Sequence, residues 1–592
     1  MRRAVIVFVL CGAAALAAQQ RSPVNRPWPP GVQKVPDQSP ALSPADALKT
    51  FYMPPGYRLE LVASEPLVQD PVAMDWDADG RLWIVEMPGF VPNLTAPEPN
   101  LAPIGRVVVL EDKNNDGVMD KRTVFADGLA LVRAVKVLDH GVLVGEPPNA
   151  WLMHDTNGDL KMDTKESVTD LYGRRDGRVE QNANMFFWAM DNRMYTANGD
   201  LMLRLKDGKF EVQKTLNRGE WGATQDDAGR VYRNTNSEAI HVDLVPTAYY
   251  ARNPNLIRTR GSYENLTDDT TNVNATWPVR PNPGTNRSYQ FGILRPDGTL
   301  AAFTSVCAPL IYRGDRLPAE LYGNAFLAEP AANLVSRVVL RDDGSTLRAK
   351  KAYDGAEFIA STDERFRPVF LANAPDGTLY IADMYRGVIQ QRADITEYLR
   401  DQITSRRLEE PTGMGRIYRV MHDSTRRGPA PSLSRATPTQ LAQALAHPNG
   451  WWRDKAQELL VERGSKGVEP SLRQMATTAA DYRARLHALW TLDGNDGIDV
   501  ATVTRALEDT SRDVRVAALR IAERWMGTEG HPIQAAVLKR LDDGDWAVRA
   551  QLAASIGALP TTVRLGAAES LDRKSTRLNS SHVSESRMPS SA

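Results

Sequence analysis

The amino-acid sequence predicts a mainly β chain with an α-helical tail: a six-bladed β-propeller over residues 47–422 and a HEAT- or armadillo-like solenoid over 432–571. A turn rich in Asp, Asn and Gly followed by a β-rich strand recurs six times. A repeated four-stranded unit is the sequence signature of a propeller. Beyond a Pro- and Arg-rich break at 423–438, the apolar period changes from 2 to 3.6 residues. A sandwich with long loops is the alternative, but six similarly patterned strands favour the propeller.

The charge balance and the cysteine count exclude several classes of protein. The chain has 592 residues, with 72 Lys and Arg against 73 Asp and Glu, so its formal net charge is −1. This leaves no bulk positive charge for binding nucleic acid or an anionic membrane. The only cysteines are Cys11 and Cys307. This excludes a disulfide framework, a CxxCH haem site and a cysteine-based zinc site within this sequence.

The first residues have the pattern of a secretory signal. A Met-Arg-Arg start precedes an apolar run that ends at Leu16 in an Ala-x-Ala site, so residues 1–17 are predicted to direct export to the periplasm or the medium. The run is shorter than the roughly 20 residues of a membrane-spanning helix, and we expect no transmembrane helix in the mature chain. Residues 18–46 are rich in Pro, Gln and Ser without an apolar period, which predicts a linker.

Each repeat of the turn-and-strand pattern is expected to mark one blade. The six strands begin at Leu82, Val142, Met194, Val231, Ala325 and Leu379. In a propeller the innermost strand of each blade ends at a central tunnel, so polar residues that end these strands would converge on one ligand-binding funnel. The residues so placed are Glu86, Glu146, Asn198, Asn234, Glu329 and Asp383. A water-filled tunnel lined by solvated acids is the alternative.

Two loops carry oxygen-bearing side chains at the alternate spacing that suits calcium. The members are Asp112, Asn114, Asp116 and Asp120 in the first loop, and Asp155, Asn157, Asp159 and Asp163 in the second. Gly117 stands at the sixth position of the first loop, where a sharp turn is needed. Glu166 stands at the twelfth position of the second loop, where a bidentate ligand belongs. The pattern predicts calcium in a stabilising role, and an ion-free turn rich in Asp and Asn is the alternative.

An Arg-x-x-Ala phrase or a close variant recurs on the predicted helices of the tail. Its arginines are Arg453, Arg485, Arg515 and Arg549, at intervals of 32, 30 and 34 residues. Paired helices at this spacing form a short HEAT-like solenoid. We expect each arginine, together with a preceding aspartate such as Asp513 or Asp545, to bond between neighbouring repeats.

Residues 572–592 do not continue the helical pattern. Residues 572–582 read DRKSTRLNSSH, which resembles the in-frame translation of a common sequencing adapter, and a Ser-rich stretch follows. We therefore expect 572–592 to be an adapter-derived artefact and the natural chain to have been truncated. A disordered tail is the alternative.

Three short motifs stand in the order found in a known family. Gln181 lies fourteen residues before Tyr195, in a segment that ends in Gly199 and Asp200; the sequences RGEWG at 218–222 and RFR at 365–367 follow. In this order they resemble the soluble quinoprotein glucose and sorbosone dehydrogenases, six-bladed propellers that use pyrroloquinoline quinone. The resemblance spans roughly residues 60–420.

This resemblance implies roles for five residues. The family has a catalytic His at the place of Gln181 and a supporting Asp at the place of Asp200. Arginines corresponding to Arg218, Arg365 and Arg367 would bind the cofactor or the substrate, since a guanidinium pairs with carboxylates in a bidentate manner. Gln has no usable basicity, so removal of a sugar hydroxyl proton needs another base, for which Asp200 and Glu220 are the nearest candidates.

A second resemblance covers almost the whole chain. The phrases GYRLELVA at 56–63, WGATQDD at 221–227 and HPNGWWRD at 447–454 are similar to those of large exported proteins of planctomycetes and related bacteria. These proteins are often called membrane-bound dehydrogenases or haem-binding CxxCH proteins, and they join such a propeller to HEAT-like repeats and usually to a C-terminal cytochrome c. The resemblance implies that haem c, if used, belongs to a domain missing here.

Two hypotheses about function follow. The first is an exported oxidoreductase that oxidises a sugar-like alcohol, with pyrroloquinoline quinone as cofactor and a cytochrome c as electron acceptor. The second is a non-catalytic propeller and solenoid that bind a glycan or a protein. The Gln at position 181 favours the second hypothesis, and the three motifs favour the first.

Overall fold

The computed structural model describes residues 21–23, 26–91, 93–97, 100–176, 178–259, 261–268, 270–342 and 346–583. The predicted secretory signal at 1–17 lies outside the described residues, as does the part of the predicted artefact beyond residue 583. Among the described residues, no helix has the length and apolar character needed to cross a membrane.

Six antiparallel sheets form the six blades of a propeller, which confirms the predicted fold class. Blade 1 contains β3 to β6 (Pro71–Trp76, Leu82–Glu86, Gly105–Glu111, Lys121–Leu129) and blade 2 contains β7 to β10 (Ala134–Val137, Val142–Glu146, Asn149–His154, Thr164–Thr169). Blade 3 contains β11 to β14 (Asn184–Trp188, Met194–Ala197, Gly199–Lys206, Lys209–Arg218) and blade 4 contains β15 to β18 (Thr224–Gln225, Val231–Arg233, His241–Val242, Glu264–Asn265).

The last two blades include strands from the start of the chain. Blade 5 contains β19 to β23 (Cys307–Ile311, Ala325–Glu329, Leu334–Asp342, Leu347–Lys351, Ile359–Ser361) and is joined by β1 (Phe51–Tyr52). Blade 6 contains β24 to β26 (Pro368–Asn373, Leu379–Asp383, Arg416–His422) and, as its outermost strand, β2 (Tyr57–Ser64). Because β2 pairs with β26 in the register Leu59↔Val420, the beginning and the end of the propeller close the ring.

The repeated turn-and-strand phrase has a physical explanation. In four blades an aspartate that starts the turn accepts a hydrogen bond from an aromatic side chain in the following strand. The aspartates are Asp77, Asp191, Asp226 and Asp376, and the donors are the indole of Trp83 and the hydroxyls of Tyr195, Tyr232 and Tyr380. The turn is thereby tied to the strand that it introduces, so the phrase recurs in the sequence.

The six predicted strands are the second strands of the blades, not the innermost ones. The first strands β3, β7, β11, β15, β19 and β24 line the central channel. The prediction that the repeated strands end at the axis was therefore wrong. The phrase marks the turn after each inner strand, and the inner strands themselves share no phrase.

Residues 21–46, which the sequence indicated as a linker, lie against the propeller where the structure describes them. The hydroxyl of Ser22 accepts a hydrogen bond from the N–H of Leu59 at 2.7 Å, and the hydroxyl of Ser39 donates to Glu364 at 2.5 Å. The short helix α1 (Pro44–Ala47) then leads into the first strand. Apart from this short helix, the Pro-rich segment is held in place by its contacts with the blades.

Two helices interrupt the propeller and nine follow it in the described part of the chain. The interrupting helices are α2 (Thr247–Ala251) and α3 (Glu397–Arg406). The following helices are α4 (Pro438–Ala444), α5 (Gly450–Arg463), α6 (Glu469–Thr478), α7 (Tyr482–Gly494), α8 (Val500–Ala506), α9 (Arg512–Met526), α10 (Ile533–Leu538), α11 (Trp546–Ser555) and α12 (Thr561–Val583). Polar N-caps start several of them, since a side-chain oxygen satisfies a free N–H at the helix start.

The repeated arginines link successive helix pairs. Arg485 is 2.8 Å from Asp509, and Arg515 is 2.9 Å from Asp543. Each arginine also donates to backbone carbonyls just before its own helix. The expected bond between neighbouring repeats is present, but the aspartate comes from the next repeat and is neither Asp513 nor Asp545. These arginines therefore have structural roles.

Helix α5 lies across one end of the propeller, which we call the lower end. The amide of Asn449, which caps α5, donates to the carbonyls of Ala374 and Pro375 at 3.0 and 3.1 Å. Lys455 donates to the carbonyl of Val137 at 3.1 Å, and Glu458 pairs with Lys136 at 2.8 Å. Residues of α5 thus line the lower part of the channel together with the six inner strands. The opposite, upper end is where the inner strands begin.

Candidate active site

The candidate site is a cavity of ≈570 Å³ at the upper end of the propeller axis. Loops that enter the first strands and leave the second strands of the blades form its wall. Apolar side chains that line it include Val72, Met87, Phe90, Trp221 and Phe303, and polar side chains include Gln181, Glu220, Asn236, Ser237 and Thr285. An enclosed apolar space with a few convergent polar groups is typical of a small-molecule site.

A short loop between β14 and β15 holds Glu220 at this cavity. The buried amide of Asn184 fixes the loop: its Nδ2 donates to the carbonyl of Glu220 at 2.7 Å, and its Oδ1 accepts from the N–H of Gly222 at 2.9 Å. Gly222 has a φ of 89°, and a Cβ at this position would lie 2.9 Å from the Cα of Ala308. Because only glycine fits here without strain, the backbone that carries Glu220 is held in one conformation.

The carboxyl of Glu220 is the acid in this cavity best suited to proton transfer. Burial raises its pKa to about 7, because the apolar surroundings disfavour the charged form. Within the described part of the chain its carboxylate forms no ion pair and accepts no side-chain hydrogen bond. A carboxyl with a pKa near neutrality can take up a proton and release it again at physiological pH.

One buried hydroxyl in the cavity is available for a ligand. The Oγ1 atom of Thr285 is buried and has no hydrogen-bond partner among the described residues. An unpaired buried polar group costs about 1–3 kcal/mol, so a hydroxyl or carbonyl group of a bound molecule would stabilise it. Gln181, Asn236 and Ser237 add amide and hydroxyl groups at the exposed side of the cavity.

Exposed aromatic side chains lie in chain segments that border the cavity. Phe291 is fully exposed and Tyr289 is 57% exposed, in a segment whose neighbours Arg287 and Ile293 line the cavity. The ring of Tyr289 lies 5.7 Å from the ring of Tyr398, centroid to centroid. Exposed aromatic groups beside a concave site commonly mark a binding surface. We call Tyr289, Phe291 and Tyr398 the aromatic rim.

Two of the three arginines implied by the resemblance lie away from the cavity. The guanidinium of Arg218 is buried, pairs with Asp243 at 3.2 Å and stacks on the ring of Tyr263. The guanidinium of Arg365 donates to the backbone carbonyls of Ser39, Arg407 and Glu410. Most of their donors are occupied within the protein and neither side chain lines the cavity, so the predicted cofactor-binding roles of Arg218 and Arg365 are not supported by this geometry.

Arg367 does line the cavity, but its donors are also engaged. Its guanidinium donates to the carbonyls of Pro330, Arg386 and Gly387 at 2.6, 3.0 and 2.8 Å. Pyrroloquinoline quinone carries several carboxylates and needs free cationic donors. Since Arg218 and Arg365 lie away from the cavity and Arg367 spends its donors on backbone carbonyls, the residues present do not fit that cofactor in the manner that the resemblance implies.

The two predicted catalytic residues have different positions. Gln181 lines the cavity and is exposed, in the loop before β11. Asp200 lies on β13, where its side chain is 44% exposed and 3.4 Å from Lys214. The structure therefore separates Asp200 from Gln181, and among the nearest candidate bases it places Glu220 in the cavity.

The six predicted funnel residues occupy equivalent places but do not line the cavity. Four of them accept hydrogen bonds from backbone N–H groups at the entry to the inner strand of their own blade: Glu86 from Gln69, Glu146 from Ala130, Glu329 from Ser305 and Asp383 from Arg367. Asn234 donates to backbone carbonyls, and the N–H of Asn198 donates to the carbonyl of Arg218. The funnel prediction was wrong because none of the six residues lines the cavity, and the four carboxylates bond to the inner-strand entries of their own blades.

The two loops with calcium-like spacing are equivalent hairpins between the third and fourth strands of blades 1 and 2. Their carboxylates accept backbone N–H groups of their own turns, as Asp112 does from Gly117 and Asp155 does from Leu160. Within the described residues, no group of three or more His, Cys, Asp or Glu side chains is arranged to hold a metal ion. Calcium binding stays a prediction from the spacing.

Both loops also join neighbouring blades. The N–H of Met119 donates to the carbonyl of Val62 at 2.9 Å, and the N–H of Met162 donates to the carbonyl of Phe125 at 2.8 Å. Each bond connects a hairpin to the blade before it. The repeated spacing therefore accompanies a repeated contact between blades.

Sequence reasoning missed two residues of this site. Thr285 lies in a long irregular connection between blades 4 and 5, where no repeat or motif marks it. Asn184 stands only three residues after Gln181, and its role depends on a loop that is 36 residues away in the chain. The pair of glycines around Glu220 was the available signal for a constrained loop.

Comparison with known proteins gives a family and distant structural similarities. Residues 43–424 match the family described as a domain of unknown function, DUF7133. The similar structures include a luciferin-regenerating enzyme (11% identity, TM-score 0.34, covering 63% of this chain and 97% of that chain) and a glucose dehydrogenase (12%, 0.35, 61% and 98%). Another is the soluble aldose sugar dehydrogenase of Escherichia coli in its apo form (11%, 0.27, 62% and 99%). No curated protein matches the chain. TM-scores this low carry no argument about activity.

Proposed function

The chain belongs to the DUF7133 family, and we propose that its propeller binds a sugar-like, polyhydroxylated molecule in the upper cavity and uses Glu220 as the general base toward one hydroxyl group. The observation that carries this proposal is the Glu220 carboxyl itself. Asn184 holds the backbone of Glu220 at the cavity, and burial alone raises the pKa of the carboxyl to about 7.

The other lining groups match the chemistry of a sugar. A sugar presents hydroxyl groups at its edges and C–H groups on its faces, so it needs hydrogen-bonding groups and apolar walls together. Thr285 offers a hydroxyl without a partner, and Trp221 and Phe303 offer apolar surface. The cavity volume of ≈570 Å³ falls within the range of small-molecule sites, which is about 300–1,000 Å³.

Proton removal from an alcohol is the step that the chain's own residues could perform. With Glu220 deprotonated, its carboxylate would accept the proton of a substrate hydroxyl. In an oxidation, the hydride would have to leave to a two-electron acceptor of the quinone class that enters separately. Export of the protein and a cytochrome c as the final electron acceptor are proposals that rest on the sequence pattern at 1–17 and on the family resemblance.

The test compares the wild-type chain with Glu220→Gln, which keeps the shape and removes the base. Sugar binding is measured by calorimetry over a panel of aldoses, and turnover is measured by reduction of a quinone-linked dye. We expect Glu220→Gln to retain binding within a fewfold and to lose at least about 100-fold in turnover. The control is Glu508→Gln on the solenoid surface, where the side chain is exposed. Equal turnover by wild type and Glu220→Gln would refute the proposal.

Recognition of a glycan without turnover is a second candidate function. The aromatic rim favours it, because exposed rings beside the cavity could hold further sugar units outside it. Saturable binding of oligosaccharides, combined with no dye reduction by the wild type at any pH, would select this function over the first. Loss of that binding in Phe291→Ala would locate it at the rim.

A further inference from the structure

We propose that a second cleft, where blade 3 meets the solenoid, binds a small oxyanion with phosphate or carboxylate groups. This cleft has a volume of ≈260 Å³ and is distinct from the upper cavity. Its walls come from β12 and β13 of blade 3, from α2, and from α7 and α9 of the solenoid. A ligand in it would therefore touch both the propeller and the solenoid.

The charge inventory of the cleft leaves an excess of cations. The cationic side chains that line it are Arg193, Arg204, Lys206, Arg252, Arg520 and Arg524. The acidic ones are Asp191, Asp493, Asp496 and Glu523. Six cations against four acids give a local charge of +2, although the whole chain has a formal net charge of −1. An excess of charge of one sign in a cleft attracts a ligand of the other sign.

Three of the four acids are already engaged by cations of the solenoid. Arg520 is 2.5 Å from Asp191, and Arg524 is 2.6 Å from Asp493 and 2.8 Å from Asp496. Two arginines of blade 3 are left with long contacts only. Arg193 is 3.9 Å from Asp191, and Arg204 is 3.9 Å from Asp493. The guanidinium groups of Arg193 and Arg204 can therefore pair with another anion.

The strand register brings these two arginines together. Met194 pairs with Leu203 across β12 and β13, and continuing that register places Arg193 opposite Arg204. Like charges directly opposite each other on a sheet destabilise it, unless an anion lies between them. Glu211 stands opposite Arg204 on β14, yet the described residues show no ion pair between the two. An oxyanion would relieve this repulsion.

The rest of the cleft is rigid and partly apolar. Arg520 lies over the ring of Trp490 at 4.7 Å, and both side chains are largely buried. The hydroxyl of Tyr249 donates to Glu523 at 2.5 Å, and Arg252 is 3.7 Å from the same carboxylate. Guanidinium groups bind phosphate and carboxylate in a bidentate manner. The cleft is large enough for phosphate, sulfate or a small polycarboxylate.

The test uses the whole purified chain, desalted into a buffer without polyvalent anions. Inorganic phosphate, sulfate and citrate are titrated separately by calorimetry at low salt. We expect saturable binding of at least one probe, weakened about tenfold or more in Arg204→Gln and in Arg193→Gln. Binding should also weaken as sodium chloride is raised, since charges in an open cleft are screened.

The control is Lys209→Gln, an exposed cation on β14 of the same blade that does not line the cleft. It should bind the anion as the wild type does. Circular dichroism and the thermal midpoint show whether each variant is folded. If Arg204→Gln does not fold, Lys206→Gln replaces it as the test variant. The proposal is overturned if no probe binds saturably, or if the arginine variants bind as tightly as Lys209→Gln.

Discussion

Replacing Asp227 with asparagine should weaken the attachment of the solenoid to the lower end of the propeller. Asp227 follows β15, and its Oδ1 accepts from Arg313 at 2.7 Å and from Arg453 of α5 at 2.5 Å. Its Oδ2 accepts from the hydroxyl of Tyr322 at 2.5 Å. The two arginines hold the pKa of this carboxyl far below its usual range, although burial acts in the opposite direction. The group is therefore charged at neutral pH.

The size of the effect follows from what the substitution leaves behind. Arg313 keeps a second carboxylate, Asp454, at 2.6 Å. Arg453 keeps the carbonyls of His447 and Pro448 and the hydroxyl of Tyr322, but its buried charge loses its one carboxylate partner. Removing one member of a buried ion pair costs about 3–5 kcal/mol. We expect a loss toward the lower end of this range, because the carbonyls still satisfy part of Arg453.

The assay is urea denaturation followed by tryptophan fluorescence, with Asp481→Asn as the matched control. Asp481 pairs with Arg483 at the exposed start of α7, where an ion pair contributes at most about 1 kcal/mol. The account predicts a loss of about 3 kcal/mol or more for Asp227→Asn and a small change for the control. Equal losses in the two variants would refute the argument that α5 is anchored through Asp227.

Three further predictions concern the cavity and the blades. Gly222→Ala should destabilise the protein by about 1–3 kcal/mol and abolish sugar binding, because the new methyl group meets Ala308. The control is Gly464→Ala, where φ is 87° but the space around the glycine is open, so the difference between the two variants in denaturation measures the clash alone. Thr285→Val should leave the thermal midpoint unchanged or raise it and weaken sugar binding about fivefold to tenfold by calorimetry, because it removes a buried hydroxyl without a partner; a lower midpoint would contradict this. Burial raises the pKa of Asp383 to about 7, so the folded protein holds a proton that the unfolded chain releases near pH 4, and the free energy of unfolding should fall as the pH rises from about 4 to about 7. Asp383→Asn should reduce that fall by at least about 1 kcal/mol, measured by urea titrations at both ends of the range. An unchanged pH dependence would contradict this.

The sequence predicted the blades because their signal is local. An aspartate in the turn and an aromatic residue a few positions later bond to each other, as Asp226 does to Tyr232, so the pattern needs no knowledge of the rest of the fold. The same holds for the arginines of the solenoid, whose spacing is set by the length of one helix pair. Which strand faces the axis is not local, and the funnel residues were misplaced for that reason.

The candidate site was predictable only in part. Short motifs such as 365–367 fix the order of residues along the chain but not the direction of each side chain. Arg365 points to backbone carbonyls of two distant segments, which no spacing reveals. Glu220 was reached through its neighbours Arg218 and Gly222, and the glycine rather than the arginine proved to define the site. The orphan hydroxyl of Thr285 depends on packing and has no signature in the sequence.

The titration of Glu220 in the free enzyme, read from rates at limiting sugar, tests the central claim most directly. Initial rates of dye reduction are measured from pH 5 to pH 9 with the wild type and Glu220→Gln at limiting sugar. The account predicts a wild-type rate that rises with an apparent pKa of about 7, since the base acts only when deprotonated, and a low, flat profile for the variant. A wild-type profile that is flat across neutral pH, or one that Glu220→Gln reproduces, would contradict it.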